Sequence, residues 1–189
     1  ATTWLAALSL PLAIGVTALA IALFCSLQHE VIHGHPFDNR LLNEALVFPT
    51  LCLAIPYHRF RETHLAHHTD SLLTDPYDDP ESNYLDAADW DQLAPVTRAI
   101  LRFNNTLLGR LVIGPIIAQI AFMRADWRAA RRGDRAVLRG WLWHLPSIAL
   151  VLAWVWQAEM PLWAYLIAAY LGLSILKIRT FLEHQEGAD

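Results

Sequence analysis

Three long stretches without a charged side chain constrain this fold more than any other feature. They are Ala1–Leu27, Gly140–Ala158 and Met160–Leu176. About 20 apolar residues in a helix cross the ~30 Å hydrocarbon core of a bilayer, whereas a surface helix of a soluble domain has a polar face. The sequence therefore predicts an all-α integral membrane protein, with spanning segments at approximately 4–27, 141–157 and 161–177.

Two further apolar stretches are poor candidates for crossing a membrane. Residues 41–57 include Glu44 and two prolines, and residues 107–123 include the pair Gly114-Pro115. Irregular backbone at membrane depth is tolerated only where protein or a cavity surrounds it. Both stretches are predicted to be re-entrant or interfacial.

The charges are strongly segregated along the chain. Nine arginines lie between Arg98 and Arg139, and eight acids lie between Asp70 and Asp91. Because basic loops next to membrane helices lie in the cytoplasm, we expect the arginine-rich region to face that side. The turn at Glu159 then faces the other side. A nucleic-acid-binding role for the arginines is not expected, since they end at a predicted spanning helix.

Five of the nine histidines have the spacing of metal ligands. His29 and His33 are four residues apart, and His64, His67 and His68 stand at i, i+3 and i+4, so each group occupies one helix face. Neutral imidazole binds iron, zinc, copper or nickel. We therefore expect a histidine-rich metal centre on a cytoplasmic cap. Both groups can share ions only if residues 41–57 do not cross the bilayer.

The first group also matches a zinc-protease motif. His29-Glu30-Val31-Ile32-His33 has the pattern H-E-x-x-H, in which the glutamate acts as a general base. A second group of three histidines favours a two-metal centre over a single zinc. An intramembrane zinc protease is kept as an alternative.

Four stretches resemble membrane fatty acid desaturases, especially a bacterial branch. His29-Glu30-Val31-Ile32-His33-Gly34-His35-Pro36 resembles the first histidine box of that family. Arg59-Phe60-Arg61-Glu62-Thr63-His64-Leu65-Ala66-His67-His68 resembles the second box, and Thr74–Ser82 resembles the segment after it. Arg179–His184 resembles the stretch after the last membrane helix, whose histidine is an additional ligand.

The resemblance implies a non-haem di-iron enzyme that uses O2 as co-substrate to place a double bond in a lipid acyl chain. A ferredoxin-like or cytochrome-like carrier would donate the electrons, and the active site would face the cytoplasm at a bacterial inner membrane. Lipid, alkane and carotenoid hydroxylases use similar boxes and are the alternative activity. The implied metal ligands are His29, His33, His64, His67, His68 and His184.

The third box of the family, again H-x-x-H-H, does not occur in this sequence. We therefore expect either a fragment whose activity belongs to a longer parent chain or an inactive membrane protein. The remaining polar residues near the boxes have weaker predicted roles. His58 is expected to be structural, and His35 either structural or in an outer role at the metal site. His144, near the start of a predicted membrane helix, is expected to be an interfacial histidine. The three glutamates beside ligand histidines, Glu30, Glu62 and Glu183, either orient imidazoles or are solvated. Cys25 and Cys52, in apolar stretches, are predicted to be buried reduced thiols.

Overall fold

The computed structural model describes residues 4–69 and 87–183, with side chains up to Ala66 and from Ala87 to Ile178. The predicted all-α architecture is confirmed over these residues, which include no strand. The helices are α1 (Trp4–Leu8), α2 (Leu10–Ile32), α3 (Arg40–Val47), α4 (Tyr57–Thr69), α5 (Ala87–Gln92), α6 (Pro95–Asn104), α7 (Leu107–Val112), α8 (Gly114–Arg131), α9 (Arg135–Gln157) and α10 (Leu162–Glu183).

Two described helices, α2 and α9, are long and apolar enough to cross a membrane, at 23 residues each. The apolar part of α10, Leu162–Ile178, is shorter. At the start of the chain the helix is interrupted at Ser9, and Pro11 lies in the first turn of α2. Proline suits that position because the first backbone N–H groups of a helix have no partner within it. The segment predicted at 4–27 is therefore divided into α1 and α2.

The core forms where α2 and α10 approach each other closely. A Cβ on Gly172 would lie 2.9 Å from Cγ2 of Ile21 and 3.0 Å from the carbonyl oxygen of Ala18. Small residues allow helix backbones to approach in this way. Cys52 belongs to the same core and is buried, as predicted, whereas Cys25 packs against the core and is only half-buried; both are free thiols.

Residues 48–56 form an irregular segment between α3 and α4. Its backbone groups are bonded by side chains of α8, α9 and α10, which satisfies them without regular structure. The partners are Ser147 for Thr50 and Phe48, Tyr165 for Leu51, His144 for Leu53 and Gln119 for Ala54, at 2.6–3.0 Å. Since α3 has only eight residues, the 41–57 stretch contains no helix long enough to span. Its position in a membrane stays a prediction.

The 107–123 stretch is also divided. Helix α7 ends at Val112, and α8 begins at Gly114 with Pro115 in its first turn. Helix α8 continues to Arg131, beyond the predicted interfacial stretch. Gly133, at a φ of 87°, turns the chain into α9, whose N-terminus is capped by Asp134.

Candidate metal centre

The first histidine group lies at the C-terminal end of α2. His33 is the capping residue, and Gly34 follows in a left-handed conformation with a φ of 93°. The N–H of Gly34 donates to the carbonyl of Val31 at 3.1 Å, which closes the helix end. Because His33 stays close to helical geometry, the one-turn spacing is retained. The ring centroids of His29 and His33 are 4.8 Å apart.

His64 comes from α4 and faces these two rings. It is buried, with 6% of its surface exposed. Its Nε2 lies 3.2 Å from Nε2 of His33, and its ring centroid lies 4.6 Å from that of His29. Phe60, one turn earlier on α4, packs against the His64 ring at 5.7 Å. In the structure, His64 of the second group therefore contacts both His29 and His33 of the first group.

The three imidazoles lie close enough together to be candidate ligands of a metal ion. Their ligand atoms all lie within 4.8 Å of one another. Two imidazole nitrogens that each bind one ion at about 2.1 Å are separated by about 3.0–3.4 Å, depending on the coordination angle. The 3.2 Å between His33 and His64 falls in this range. The spacing of these two nitrogens therefore fits two ligands of one divalent transition metal ion.

Glu30 and Glu62 differ in what they contact. The Nδ1 of His29 lies 3.2 Å from Oε1 of Glu30, the geometry in which a carboxylate fixes the tautomer of a metal-binding imidazole. Glu62 instead accepts a hydrogen bond from Arg59. Glu30 therefore contacts His29 while 54% of its side chain is exposed, so both of its predicted roles stay open, whereas Glu62 is engaged by an arginine. The side chain of Glu183 lies outside the described residues.

The remaining histidines lie outside this group or cannot be placed. His35 is exposed, and His58 packs on Phe48 and Tyr57 at centroid distances of 6.4 and 5.8 Å. His144 is buried, and its Nε2 lies 3.0 Å from the carbonyl oxygen of Leu53. That bond gives it a structural role in the irregular segment. The side chains of His67 and His68, all of His184 and the Asp70–Glu81 segment lie outside the described residues.

Asp126, a buried carboxylate of α8, belongs to no motif of the sequence. It is bonded by Arg59 of α4 and Trp141 of α9. The sequence feature that could have indicated it is that Asp126 is the only acidic residue between Asp91 and Asp134, in a region rich in arginine. A lone acid next to apolar helices predicts a buried ion pair, but its partner cannot be read from spacing.

The comparison with known families agrees with the geometry. The family model described as "Fatty acid desaturase" matches residues 2–189. No curated protein and no solved structure matches the chain. The match covers nearly every residue, including both histidine groups and the helices that present them. The chain belongs to the fatty acid desaturase family.

Proposed function

We propose that this chain provides histidine ligands of a di-iron centre that uses O2 to introduce a double bond into a lipid acyl chain. Family membership supports a desaturase-like oxidation of lipid. The main support for a metal centre is that His29 and His33 of α2 meet His64 of α4. The pair in contact, His33 and His64, is separated by 31 positions in the chain. A packing role does not require three imidazoles with their nitrogens turned towards one another.

The reaction determines what the protein residues have to do. When bound, the metal pair would supply O2 activation and the oxidising power to remove hydrogen from an unactivated CH2 group, which side chains lack. Glu30 holds His29 through Nδ1, so that Nε2 is the nitrogen available to a metal. The burial of His64 against Phe60 limits the access of water to this side of the site.

The proposed ligand set extends beyond the three described imidazoles. His67 and His68 follow His64 on α4 by three and four residues, which is the spacing of one helix face. With His184, they complete the ligands that the family pattern assigns to this chain. Six ligands are fewer than the eight or more of the family, so full activity is proposed to need a longer parent chain.

The arginine-rich turn suggests the orientation and the partners. The turn between α8 and α9 and the helix ends that flank it carry six exposed arginines, which are Arg124, Arg128, Arg131, Arg132, Arg135 and Arg139. We propose that this turn and the histidine groups face the cytoplasm of a bacterial cell. An acidic ferredoxin-like or cytochrome-like electron donor, or anionic lipid headgroups, would be attracted to this surface.

The alternatives have less support. A hydroxylase would use the same scaffold and is distinguished by its product, an alcohol instead of an alkene. The zinc protease rests on the H-E-x-x-H pattern alone, and the family match does not favour it. In the described structure Glu30 accompanies His29, a position that suits an orienting residue as well as a base.

Metal analysis of the purified chain tests the proposal. The 189-residue chain in detergent is loaded anaerobically with Fe²⁺ and its bound iron is measured after desalting. We expect stoichiometric iron, and a loss of at least tenfold in affinity for His64→Ala and His33→Ala, each of which removes a ligand nitrogen. Asp91→Asn, at an exposed acid of α5, is the control and should retain iron.

The Glu30 variants separate the two enzyme classes. Glu30→Ala should weaken iron binding by about tenfold. Glu30→Gln keeps an oxygen that accepts a hydrogen bond from His29, so its loss of iron affinity should be smaller than that of Glu30→Ala. Absence of stoichiometric iron in the wild-type chain contradicts the proposal. Bound zinc together with peptide cleavage that Glu30→Gln abolishes would establish the protease instead.

A further inference from the structure

Asp126 joins three helices through one carboxylate. Its Oδ1 accepts from Nη2 of Arg59 at 2.9 Å, and its Oδ2 accepts from Nε of Arg59 at 3.1 Å. The Nε1 of Trp141 also donates to Oδ2, at 2.8 Å. Arg59 lies on α4, which carries the second histidine group, and Trp141 lies near the start of α9. The carboxylate on α8 therefore fixes α4 against α9.

This contact is shielded from water. The side chains of Arg59 and Asp126 are 13% and 5% exposed. Burial alone lowers the pKa of Arg59, but the hydrogen bonds and charge of Asp126, with those of Glu62, raise it above its ordinary value. Arg59 is therefore a permanent cation. Loss of either partner leaves a poorly compensated buried charge, which costs more than the net value of the pair.

Helix α4 is held from two sides. Arg59 precedes His64 by five residues, so the two side chains leave α4 in directions about 140° apart. His64 meets α2, whereas Arg59 packs against Gly140 of α9. A Cβ on Gly140 would lie 2.9 Å from Cδ and 3.0 Å from Cγ of Arg59, so glycine provides the space that the arginine occupies. A rotation of α4 about its axis would move both contacts together.

We propose that Asp126 is a positioning residue of the metal centre, which acts through Arg59 to fix the rotation of α4 and so the separation of His64 from His33. This inference rests on the proposed function, because it assigns a role in metal binding at the same site. The same role explains why an acid, Asp126, occurs among the arginines of α6–α8, where the sequence has no other Asp or Glu. The network formed by Asp126, Arg59 and Trp141 holds α4 on the side away from His64.

Cobalt binding measures this role without depending on catalysis. Co²⁺ is titrated into the full 189-residue chain in detergent, and its visible absorption reports both affinity and coordination geometry. The variants are Asp126→Asn, which removes the charge at nearly constant shape, and Gly140→Ala, which displaces Arg59 and leaves every charge in place. Asp91→Asn, at an exposed acid of α5, is the matched control.

Asp126→Asn and Gly140→Ala should each weaken Co²⁺ binding by about tenfold and shift the absorption bands, by analogy with residues that orient metal ligands. Trp141→Phe removes one of the donors to Asp126 together with part of a ring that contacts Phe122 and His144, and leaves the pair with Arg59 in place, so a smaller effect of the same kind is expected. Asp126→Glu keeps the charge and should recover part of the affinity. Asp91→Asn should bind like the wild-type chain.

The outcomes separate this inference from the proposed function. If the wild-type chain binds no Co²⁺, the proposed function fails and the inference fails with it. If the wild type binds but folded Asp126→Asn and Gly140→Ala show unchanged affinity and bands, the network is only structural and the inference is overturned. Helix content and thermal unfolding are measured for every variant. Should Asp126→Asn not fold, Gly140→Ala and Trp141→Phe decide the question.

Discussion

The Nε2 atoms of His33 and His64 lie 3.2 Å apart although 31 positions separate the two residues in the chain. The connection between them contains one short helix, α3, and the irregular segment 48–56. After this segment the chain enters α4, which places His64 beside the C-terminal end of α2. The proximity of the two histidine groups therefore depends on how residues 48–56 are held.

Ser147→Ala tests that support. Ser147 accepts from the N–H of Thr50 at 2.8 Å and donates to the carbonyl of Phe48 at 3.0 Å, both in the irregular segment. Its loss leaves the buried N–H of Thr50 and the half-buried carbonyl of Phe48 without that partner, and we expect a decrease of about 1–2 kcal/mol in the free energy of unfolding. The measurement is reversible denaturation in mixed micelles.

Ser174→Ala is the matched control for this experiment. Ser174 is also buried, but its hydroxyl donates only to the carbonyl of Tyr170, one turn earlier in its own helix, at 3.0 Å. Its removal should change stability by less than about 0.5 kcal/mol. Equal effects of the two substitutions would show that Ser147 does not specifically support the irregular segment.

Gly172→Ala should destabilise the contact between α2 and α10. The added Cβ would meet Ile21 and the backbone of Ala18 at 2.9–3.0 Å, so the helices must separate, at a cost of about 1–3 kcal/mol. Gly15→Ala on α2 has no atom within 4 Å of the new Cβ and should be neutral or stabilising by up to about 1 kcal/mol. Thermal unfolding of both variants gives the comparison. A Gly172→Ala variant as stable as Gly15→Ala would contradict the close packing.

Cysteine labelling tests the proposed orientation of α9. Arg132 and Gln157 are exposed residues just before and at the end of this helix. In intact cells, a membrane-impermeant maleimide should label Gln157→Cys but reach Arg132→Cys only after permeabilisation, because the arginine-rich turn is expected in the cytoplasm. The unmodified chain, with Cys25 and Cys52, gives the background. Labelling of both variants, or of Arg132→Cys alone, in intact cells is the contrary result.

Much of the candidate site follows from spacing within single helices. The i, i+4 relation of His29 and His33 depends only on helical periodicity, and the structure retains it because His33 caps α2 in near-helical geometry. The family resemblance, confirmed by the match over residues 2–189, also follows from short local motifs. The re-entrant or interfacial position of residues 41–57 stays a prediction; the helix within them, α3, has eight residues.

What the sequence by itself determined is the all-helical class, the apolar helices and the two groups of candidate ligands, because each depends on the order of residues within one segment. The tertiary structure decided which distant residues meet. His64 faces His33, Ser147 binds the irregular segment, and Asp126 pairs with Arg59, 67 positions earlier in the chain. Such contacts arise when buried polar groups must find partners, and the position of each partner depends on how all the helices pack.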